Sequence, residues 1–392
     1  MHRFFKHLNT ALSFTLYSSV ATLPNQWDDL ASDTIFLSSR YLRILEESAP
    51  ENMECFYIGI FENQNLRGIA IAQFLDGNSV TSFGNRDRCI KTAVRNFAFK
   101  NFSSQILFIG NNMLTGQNAF SLDSTINVSD AIKTLRLASI QIEKQLKKRG
   151  KKVHLTSFKD FSVEQLNDFK EADFSTFYQF EIQPNMIFEI DTKWNSMEDY
   201  VGDLHKKYRD QYKRAQKKSS GIEKRKLSLE EIVANEDTVY NLYYHVAKNA
   251  PFNTFFLRKN HFATLKKHFQ HDFLFYGYFL NNQLIGFNTL IKNGTRMETY
   301  FLGYDEQVQR DTLLYLNMLY DMIGYSIKKR FKKIIFGRTA LEIKSSVGAE
   351  AEPMYGFIKH SNPIVQWQMP SIFNALQPKI SWQKRNPFKE NN

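Results

Sequence analysis

Cysteine is scarce in this chain. Only Cys55 and Cys89 occur among its 392 residues, and two thiols cannot build a disulfide framework or a cysteine-rich zinc site. Both are expected to be reduced and mostly buried, as free thiols are in cytosolic proteins. The cysteine content therefore favours a cytoplasmic protein.

Long hydrophobic runs are also missing. No stretch of 18 consecutive apolar residues occurs, so no membrane-spanning helix is expected. The basic start Met1–Lys6 and the apolar stretch Ala11–Tyr17 faintly resemble a signal peptide, but the stretch is short and interrupted by serine and threonine. A first β-strand that ends before Leu23 is the favoured interpretation.

Several familiar catalytic signatures are absent. The chain has no G-x-S-x-G, no Walker loop and no G-x-G-x-x-G. Its nine histidines show no H-x-x-x-H spacing with a nearby carboxylate, so no metal site is expected. These absences argue against common hydrolase, nucleotide-binding and zinc-enzyme patterns.

Positive charge is in excess. The formal net charge is +11, from 51 basic and 40 acidic residues, which points to an anionic partner. Ten Lys/Arg and two acidic residues lie between His205 and Lys226. The predicted helix over 205–218 has three interpretations: a solvated face, a site where Arg209 and Lys213 bind phosphates of a tRNA or nucleotide-linked cell-wall precursor, or a peripheral contact with an anionic membrane. No base-reading motif accompanies this charge, so a nucleic-acid regulator is not expected.

The chain contains an internal repeat. Residues 59–68 and 277–286 both fit G-x-F-x-N-x-x-L-x-G between β-rich runs, a pattern typical of β-hairpins. In both halves the hairpin is followed by strand, helix, strand, helix and strand, with the long helices predicted over 129–149 and 312–330 from their apolar periodicity.

We therefore predict an α/β (α+β) protein with two similar halves, each a mixed, mainly antiparallel sheet flanked by helices. The predicted domains are 1–190 and 191–392. The first half has an insertion over 79–104, and the second has a largely helical one over 197–270.

Two stretches resemble the GNAT superfamily of acyltransferases in its tandem form. The basic segment Leu204–Lys218 is similar to the helix that opens the acetyltransferase domain of Fem-like and peptidoglycan-biosynthesis-type proteins. Phe336–Thr339, with Lys344 and Gly348, resembles the strand end and downstream lysine that close this domain. The resemblance implies two GNAT-like domains, the first a degenerate copy.

The implied activity is transfer of an acyl group from acyl-CoA, such as acetyl-CoA, to an amine on a small molecule or a cell-envelope precursor. No metal is implied. The usual pyrophosphate loop, [RQ]-x-x-G-x-[GA], is absent, and Asp305–Thr312 stands in its place. Fem-like aminoacyl transfer from tRNA therefore stays open, as does a non-catalytic tandem fold that only binds a ligand. Thr156–Asp160, the first-half counterpart of the strand-end motif, lacks Gly-Arg-Thr, which assigns activity to the second half.

The resemblance also implies where the donor binds. The backbone of Gly303 and Tyr304 would receive the acyl carbonyl. Gln309, Arg310 and Thr312 would lie near a pyrophosphate at the start of the next helix, or would only cap and solvate that helix.

Arg338 and Lys344 are the main substrate-binding candidates. Arginine offers a planar fork to a carboxylate or phosphate, and the lysine follows six residues later. The alternative is a surface ion pair with Glu342 or Glu350.

Proton transfer has its own candidates. Glu342 and Asp305 could act as a base and Tyr304 or Tyr315 as an acid. The alternatives are helix caps or ion-pair partners for the carboxylates and packing for the tyrosines.

Overall fold

The computed structural model describes residues 11–77, 103–250, 253–376 and 382–389. Met1–Lys6, Cys89 and nearly all of the predicted insertion over 79–104 lie outside these residues. Ser13–Tyr17 forms a strand, which confirms the predicted first strand.

The strands of the described residues are, in chain order, β1 (Ser13–Tyr17), β2 (Met53–Glu62), β3 (Asn65–Asp76), β4 (Gln105–Ile109), β5 (Phe120–Leu122), β6 (Leu155–Phe161), β7 (Tyr178–Glu189), β8 (Glu223–Lys226), β9 (Phe273–Leu280), β10 (Gln283–Asn293), β11 (Arg296–Tyr304), β12 (Lys333–Gly337) and β13 (Glu350–His360). The α-helices are α1 (Trp27–Leu30), α2 (Ser39–Ser48), α3 (Val128–Lys148), α4 (Leu166–Glu171), α5 (Met197–Asp203), α6 (Lys206–Lys218), α7 (Leu229–Ala234), α8 (Glu236–Asn249), α9 (His261–Phe269), α10 (Glu306–Thr312), α11 (Leu314–Lys328), α12 (Leu341–Ser346) and α13 (Pro363–Leu376).

The chain forms two units. Unit 1 comprises residues 1–182 and 353–379, and unit 2 comprises 183–352 and 380–392. In unit 1 the strand order is β1-β2-β3-β4-β6-β13, and in unit 2 it is β8-β9-β10-β11-β12-β7. The β4–β6 and β11–β12 pairs are parallel, while the other strand pairs along these two orders are antiparallel. Each sheet is therefore mixed and mainly antiparallel, which confirms the predicted fold class.

The repeated motif forms the same hairpin in each unit. Asn63 and Gln64 join β2 to β3 with positive φ angles of 47° and 69°, and Asn281 and Asn282 join β9 to β10 with 50° and 61°. Three of these four residues are asparagine, which tolerates the left-handed conformation better than most residues, and two consecutive left-handed residues make the turn that suits the strand twist. Both turns need residues that accept this conformation, which explains why the motif can be recognised in both halves of the sequence.

The last strand of each sheet comes from the other half of the chain. Met186–Glu189 of β7 pairs with β12, although β7 follows α4 of the first half. Tyr355–His360 of β13 pairs with β6, although β13 follows α12 of the second half. The strand β7 runs without interruption over Tyr178–Glu189. The observed units are consequently discontinuous, whereas 1–190 and 191–392 are continuous ranges.

Long helices cover one face of each sheet through the predicted apolar stripes. In unit 2, α11 buries Leu319, Ile323 and Ile327 in a core shared with α5, α6 and β12. In unit 1, α3 buries Leu135 and Ile142 against a core rich in phenylalanine. Among the described residues, no helix is both long and apolar enough to cross a bilayer.

Candidate active site in the second unit

The parallel strands β11 and β12 separate in the middle of the unit 2 sheet. Their pairing covers only residues 296–298 of β11 and 333–335 of β12. The Thr299 hydroxyl donates to the Ile335 carbonyl at 3.0 Å, and beyond it residues 299–302 are only half-buried. A strand edge is thus accessible at the point where two parallel strands diverge.

A β-bulge lies at this divergence. Asn288 pairs with Leu302 and Leu290 pairs with Thr299, so Tyr300 and Phe301 together face one residue of β10. That residue, Thr289, donates its hydroxyl to the Phe301 carbonyl at 2.6 Å. A bulge interrupts the ladder and re-aims backbone groups, so the strand can direct an amide towards a ligand here.

Gly303 lies directly beneath α8. A Cβ atom at this position would come within 2.5 Å of the backbone of Leu242 and Tyr243. Glycine is therefore needed for the approach of this helix. The predicted role of the Gly303 backbone in holding an acyl carbonyl stays a prediction, and the bulge lies two residues before it.

Tyr304 and Tyr315 lie together at the end of β11. Their ring centroids are 6.2 Å apart. Burial raises the pKa of both hydroxyls, helped at Tyr304 by the Glu306 carboxylate and at Tyr315 by Tyr304. Both groups hold their protons at neutral pH, as a general acid must.

A short helix replaces the missing pyrophosphate loop. The Asp305 carboxylate accepts from the Gln307 and Val308 amides at 2.9 and 3.0 Å and so caps α10. The exposed Arg310 pairs with Glu306 at 3.0 Å. The Thr312 hydroxyl donates to the Val308 carbonyl at 2.6 Å, and the backbone N–H of the half-buried Gln309 donates to the Asp305 carbonyl at 2.9 Å.

This arrangement does not resemble a diphosphate cradle. The first amides of α10 face a carboxylate, and the arginine is engaged by another acidic side chain. The predicted donor-binding residues therefore lie together on one helix, but their present contacts are within that helix.

The turn after β12 has an unusual backbone. Gly337, Thr339 and Ala340 all have positive φ angles, of 71°, 68° and 48°. This conformation is uncommon for residues with a side chain and is strained for a β-branched one such as threonine. Such strain persists only where surrounding contacts impose it, and it is found frequently at ligand sites.

Lys344 provides those contacts. Its Nζ donates to the carbonyls of Phe336, Gly337 and Arg338 at 2.8, 3.1 and 2.7 Å. The side chain is only 4% exposed, and burial lowers its pKa to about 7. The predicted lysine therefore lies at the strand end, but it binds the turn from inside instead of forming the alternative surface ion pair.

Arg338 is half-buried at the same turn. Burial lowers its pKa to about 10, which leaves the guanidinium charged at neutral pH. The backbone of this arginine is held by Lys344. The two cationic residues predicted from sequence are thus brought together, with different degrees of exposure.

Glu342 lies on the outer side of α12, where its carboxylate pairs with Arg385. A groove of about 370 Å³ beside this pair is bordered by Lys207 and Gln211 of α6. Glu342 is 50% exposed at its side chain, as a residue at a groove mouth would be.

The basic helix α6 presents two kinds of side chain. Tyr208 and Ala215 are buried, and the half-buried Tyr212 contacts Tyr320, with ring centroids 4.9 Å apart. Lys213 is exposed. Arg209 is half-buried, and its guanidinium donates to the Leu204 carbonyl.

Three polar residues near the bulge, His261, Glu298 and Tyr300, were not predicted from the sequence. His261 is fully buried, and its Nε2 lies 3.0 Å from the Tyr300 hydroxyl. Glu298, two residues earlier on β11, accepts from the Asn293 amide at 3.0 Å, and burial raises its pKa to about 6. His261 and Tyr300 are 39 positions apart in the sequence, so no local spacing pattern could predict this pair.

Metal coordination has no evident site among the described ranges. No group of three or more histidine, cysteine, aspartate or glutamate side chains is arranged there to hold an ion.

Comparisons with known proteins agree with this architecture. No family model matches the sequence, and no curated protein does. The crystal structure of FemX superimposes with a TM-score of 0.53 at 12% identity, over 91% of this chain and 98% of that chain. The chain has a tandem GNAT fold. A tandem GNAT protein from the clavulanic acid biosynthesis pathway superimposes with a TM-score of 0.50 at 9% identity, over 90% of this chain and 99% of that chain. Identities this low establish the fold and nothing finer.

Proposed function

We propose that this protein is an N-acyltransferase that moves an acyl group from an activated donor to an amine, with its active site in unit 2. The observation that carries the proposal is the bulge on β11 where this strand leaves β12. The β3–β4 ladder of unit 1 has no register shift. The predicted assignment of activity to the second half thus gains independent support.

The reaction needs few protein groups. The amine nitrogen attacks the acyl carbonyl carbon, a C–N bond forms, and the bond to the donor's sulfur or oxygen breaks. A backbone amide at the bulge would stabilise the developing oxyanion, which is worth most in a site shielded from water. The ammonium must lose a proton before attack, and the leaving group must gain one.

Two sets of residues could move these protons. Tyr300 and His261 form a hydrogen-bonded pair at the bulge, and Tyr304 lies at the end of the same strand. The earlier candidates Asp305 and Glu342 are occupied as a helix cap and an ion-pair partner. We therefore assign the proton transfers to the Tyr300–His261 pair first.

Arg338 and Lys344 are proposed to shape the substrate-binding turn. Lys344 holds three carbonyls of that turn, and Arg338 carries the charge that would meet a carboxylate or phosphate. The acceptor class is a small-molecule amine or an amine on a cell-envelope precursor.

Acyl-CoA is the first donor to test, although α10 does not offer the usual pyrophosphate contacts. A specific observation favours a second candidate, aminoacyl transfer from tRNA. The Asp305 and Glu306 carboxylates lie at the start of α10, whereas exposed lysines such as Lys213 lie on α6. A donor with an extended phosphate backbone could use the basic helix instead of α10.

Donor binding can be measured first by thermal unfolding with acetyl-CoA, a long-chain acyl-CoA and aminoacyl-tRNA. A ligand that binds only the folded state raises the unfolding temperature. A rise with a CoA thioester supports the first donor, and a rise with aminoacyl-tRNA alone supports the second. No rise with any donor would contradict acyl transfer and leave the ligand-binding interpretation.

Catalysis can then be tested with matched variants in the two units. Arg338→Ala and Tyr300→Phe are expected to lower kcat/KM by about tenfold or more, since each removes a group from the proposed site. Arg136→Ala is the control, because Arg136 is also a partly buried arginine but lies in unit 1. Equal losses in all three variants would contradict a site in unit 2.

A further inference from the structure

We propose that the outer face of α13 docks onto an anionic lipid bilayer surface. This helix belongs to unit 1, and the inference does not rest on the proposed acyl transfer. It also differs from the membrane interpretation of the basic segment over 205–218, because it concerns another helix and another kind of contact.

Two large apolar side chains are exposed on one turn of α13. Ile364 is 71% exposed and Trp367 is 80% exposed. Only four large hydrophobic side chains are exposed in the part of the chain that the structure describes, and the other two, Val163 and Val233, are far apart in sequence. Tryptophan favours the membrane–water interface because its ring is amphipathic.

The opposite face of the helix is fixed to the protein. Val365, Met369 and Phe373 pack in a small core with Leu155 and Ile358. The Gln366 amide donates to the Thr176 carbonyl at 3.0 Å, and its oxygen accepts from the His360 amide. The exposed pair is therefore presented by an anchored helix.

Charge favours a lipid partner. Residues 363–376 include no charged side chain, so the helix can approach an apolar phase without desolvating an ion. Within unit 1 the surrounding segment, residues 353–379, contains the basic residues Lys359 and Lys379 and no acidic residue. Such a segment is attracted to anionic headgroups, and this attraction supplements a shallow apolar contact.

Basic side chains also lie near the start of α13 within unit 1. Arg136 and Gln366 both contact Thr176, through its hydroxyl and its carbonyl. The half-buried Lys359 lies just before the helix, 5.7 Å from the centre of the Phe177 ring. The apolar pair is thus accompanied by cations on the same unit.

A second copy of the chain fits this face less well. Self-association would bring two basic, acid-free segments together, and like charges in contact are unfavourable. Two exposed side chains are also a small apolar area for a stable dimer, which buries about 800 Å² per partner.

Vesicle co-sedimentation of the full chain tests the proposal. Binding is expected to vesicles of phosphatidylcholine with about 30% phosphatidylserine and to fall by about tenfold in pure phosphatidylcholine or at about 0.5 M salt. Trp367→Ala should lower the partition coefficient about tenfold and Ile364→Ala several-fold, because each removes buried apolar area. Val163→Ala, another exposed hydrophobic of unit 1, is the matched control and should bind like the unchanged protein.

Fluorescence quenching by brominated lipids adds a site-specific readout. Trp27 and Trp194 are 1% and 5% exposed, and the half-buried Trp382 packs against the core of unit 2, so these three tryptophans should not be quenched. Quenching that is lost in Trp367→Phe supports insertion of α13. Quenching that persists in this variant, equal binding of Trp367→Ala to anionic vesicles, or a dimer that Trp367→Ala dissociates would each overturn the proposal.

Discussion

The parallel pairs β4–β6 and β11–β12 occupy the same place in the two units but end differently. Beyond the β4–β6 pair, buried polar side chains bond to one another. The Asn111 amide donates to the Tyr41 hydroxyl at 2.9 Å, and Lys159 donates to the Asn111 carbonyl at 3.2 Å while pairing with Asp160. Beyond the β11–β12 pair, β11 is bulged and half-buried, and β12 ends in a strained turn.

This difference indicates how the same fold can be used for stability in one unit and for ligand binding in the other. Buried polar groups that satisfy one another stabilise a structure and leave little capacity for a ligand. The second unit keeps backbone groups and a cation at the equivalent place, where a substrate could bind. The contrast is consistent with a structural first unit and an active second one, and the following experiments test it.

The largest effect is expected for Lys159→Met. The substitution leaves the Asp160 carboxylate buried without the Lys159 ammonium, which should cost about 3–5 kcal/mol of unfolding free energy. Urea unfolding measures this loss, with Lys133→Met, a partly exposed partner of Asp130, as the control. A loss below about 1 kcal/mol would show that the network in unit 1 is not structural.

Gly303→Ala should destabilise unit 2 by about 3 kcal/mol or more, because the added Cβ meets the α8 backbone and cannot be accommodated by a side-chain movement. Gly110→Ala, at the residue that follows β4 in unit 1, should cost about 1–3 kcal/mol for another reason, a φ angle of +132°. Gly202→Ala, which meets no atom within 4 Å, is the control. A tolerated Gly303→Ala would indicate that α8 can move away from β11.

Lys344 should make stability depend on pH. Its pKa is lowered from 10.5 to about 7 in the folded protein, so between these values the unfolded chain binds a proton that the folded chain does not. The unfolding free energy should therefore rise with pH from about 7 to 10, by at most about 1.4 kcal/mol per unit.

Urea unfolding of the unchanged protein and Lys344→Met across this range isolates the contribution. As pH rises, the unfolding free energy of the unchanged protein should increase relative to that of Lys344→Met. A constant difference would show that the three carbonyls keep the ammonium protonated.

The smallest effect is expected for Arg310→Ala. The Arg310–Glu306 pair is exposed, and such pairs contribute about 0.5 kcal/mol. Stability and the KM for the acyl donor should change little, with Glu306→Gln as the matched variant. A large rise in KM for Arg310→Ala alone would support the sequence-based role of Arg310 in donor binding.

Much of the architecture could be predicted from the sequence, but less of the candidate site. The repeated hairpins and long helices follow from turn residues and apolar spacing that act within a few positions, as at Asn63 and along α11. It also placed Arg338 and Lys344 at a strand end. It did not predict α10 as a helix separate from α11. The break between them is the left-handed Leu313, and leucine has no sequence preference that would indicate such a conformation.

Local patterns determined the two mixed sheets, the helices that cover them and the excess of positive charge. Only the tertiary structure decided the bulge at Tyr300, the pairing of this residue with His261, and the contact of Gly303 with α8. It also decided that β7 and β13 complete the sheet of the other half. These features depend on strand register and on contacts between residues distant in sequence, whose energies no short window of residues contains.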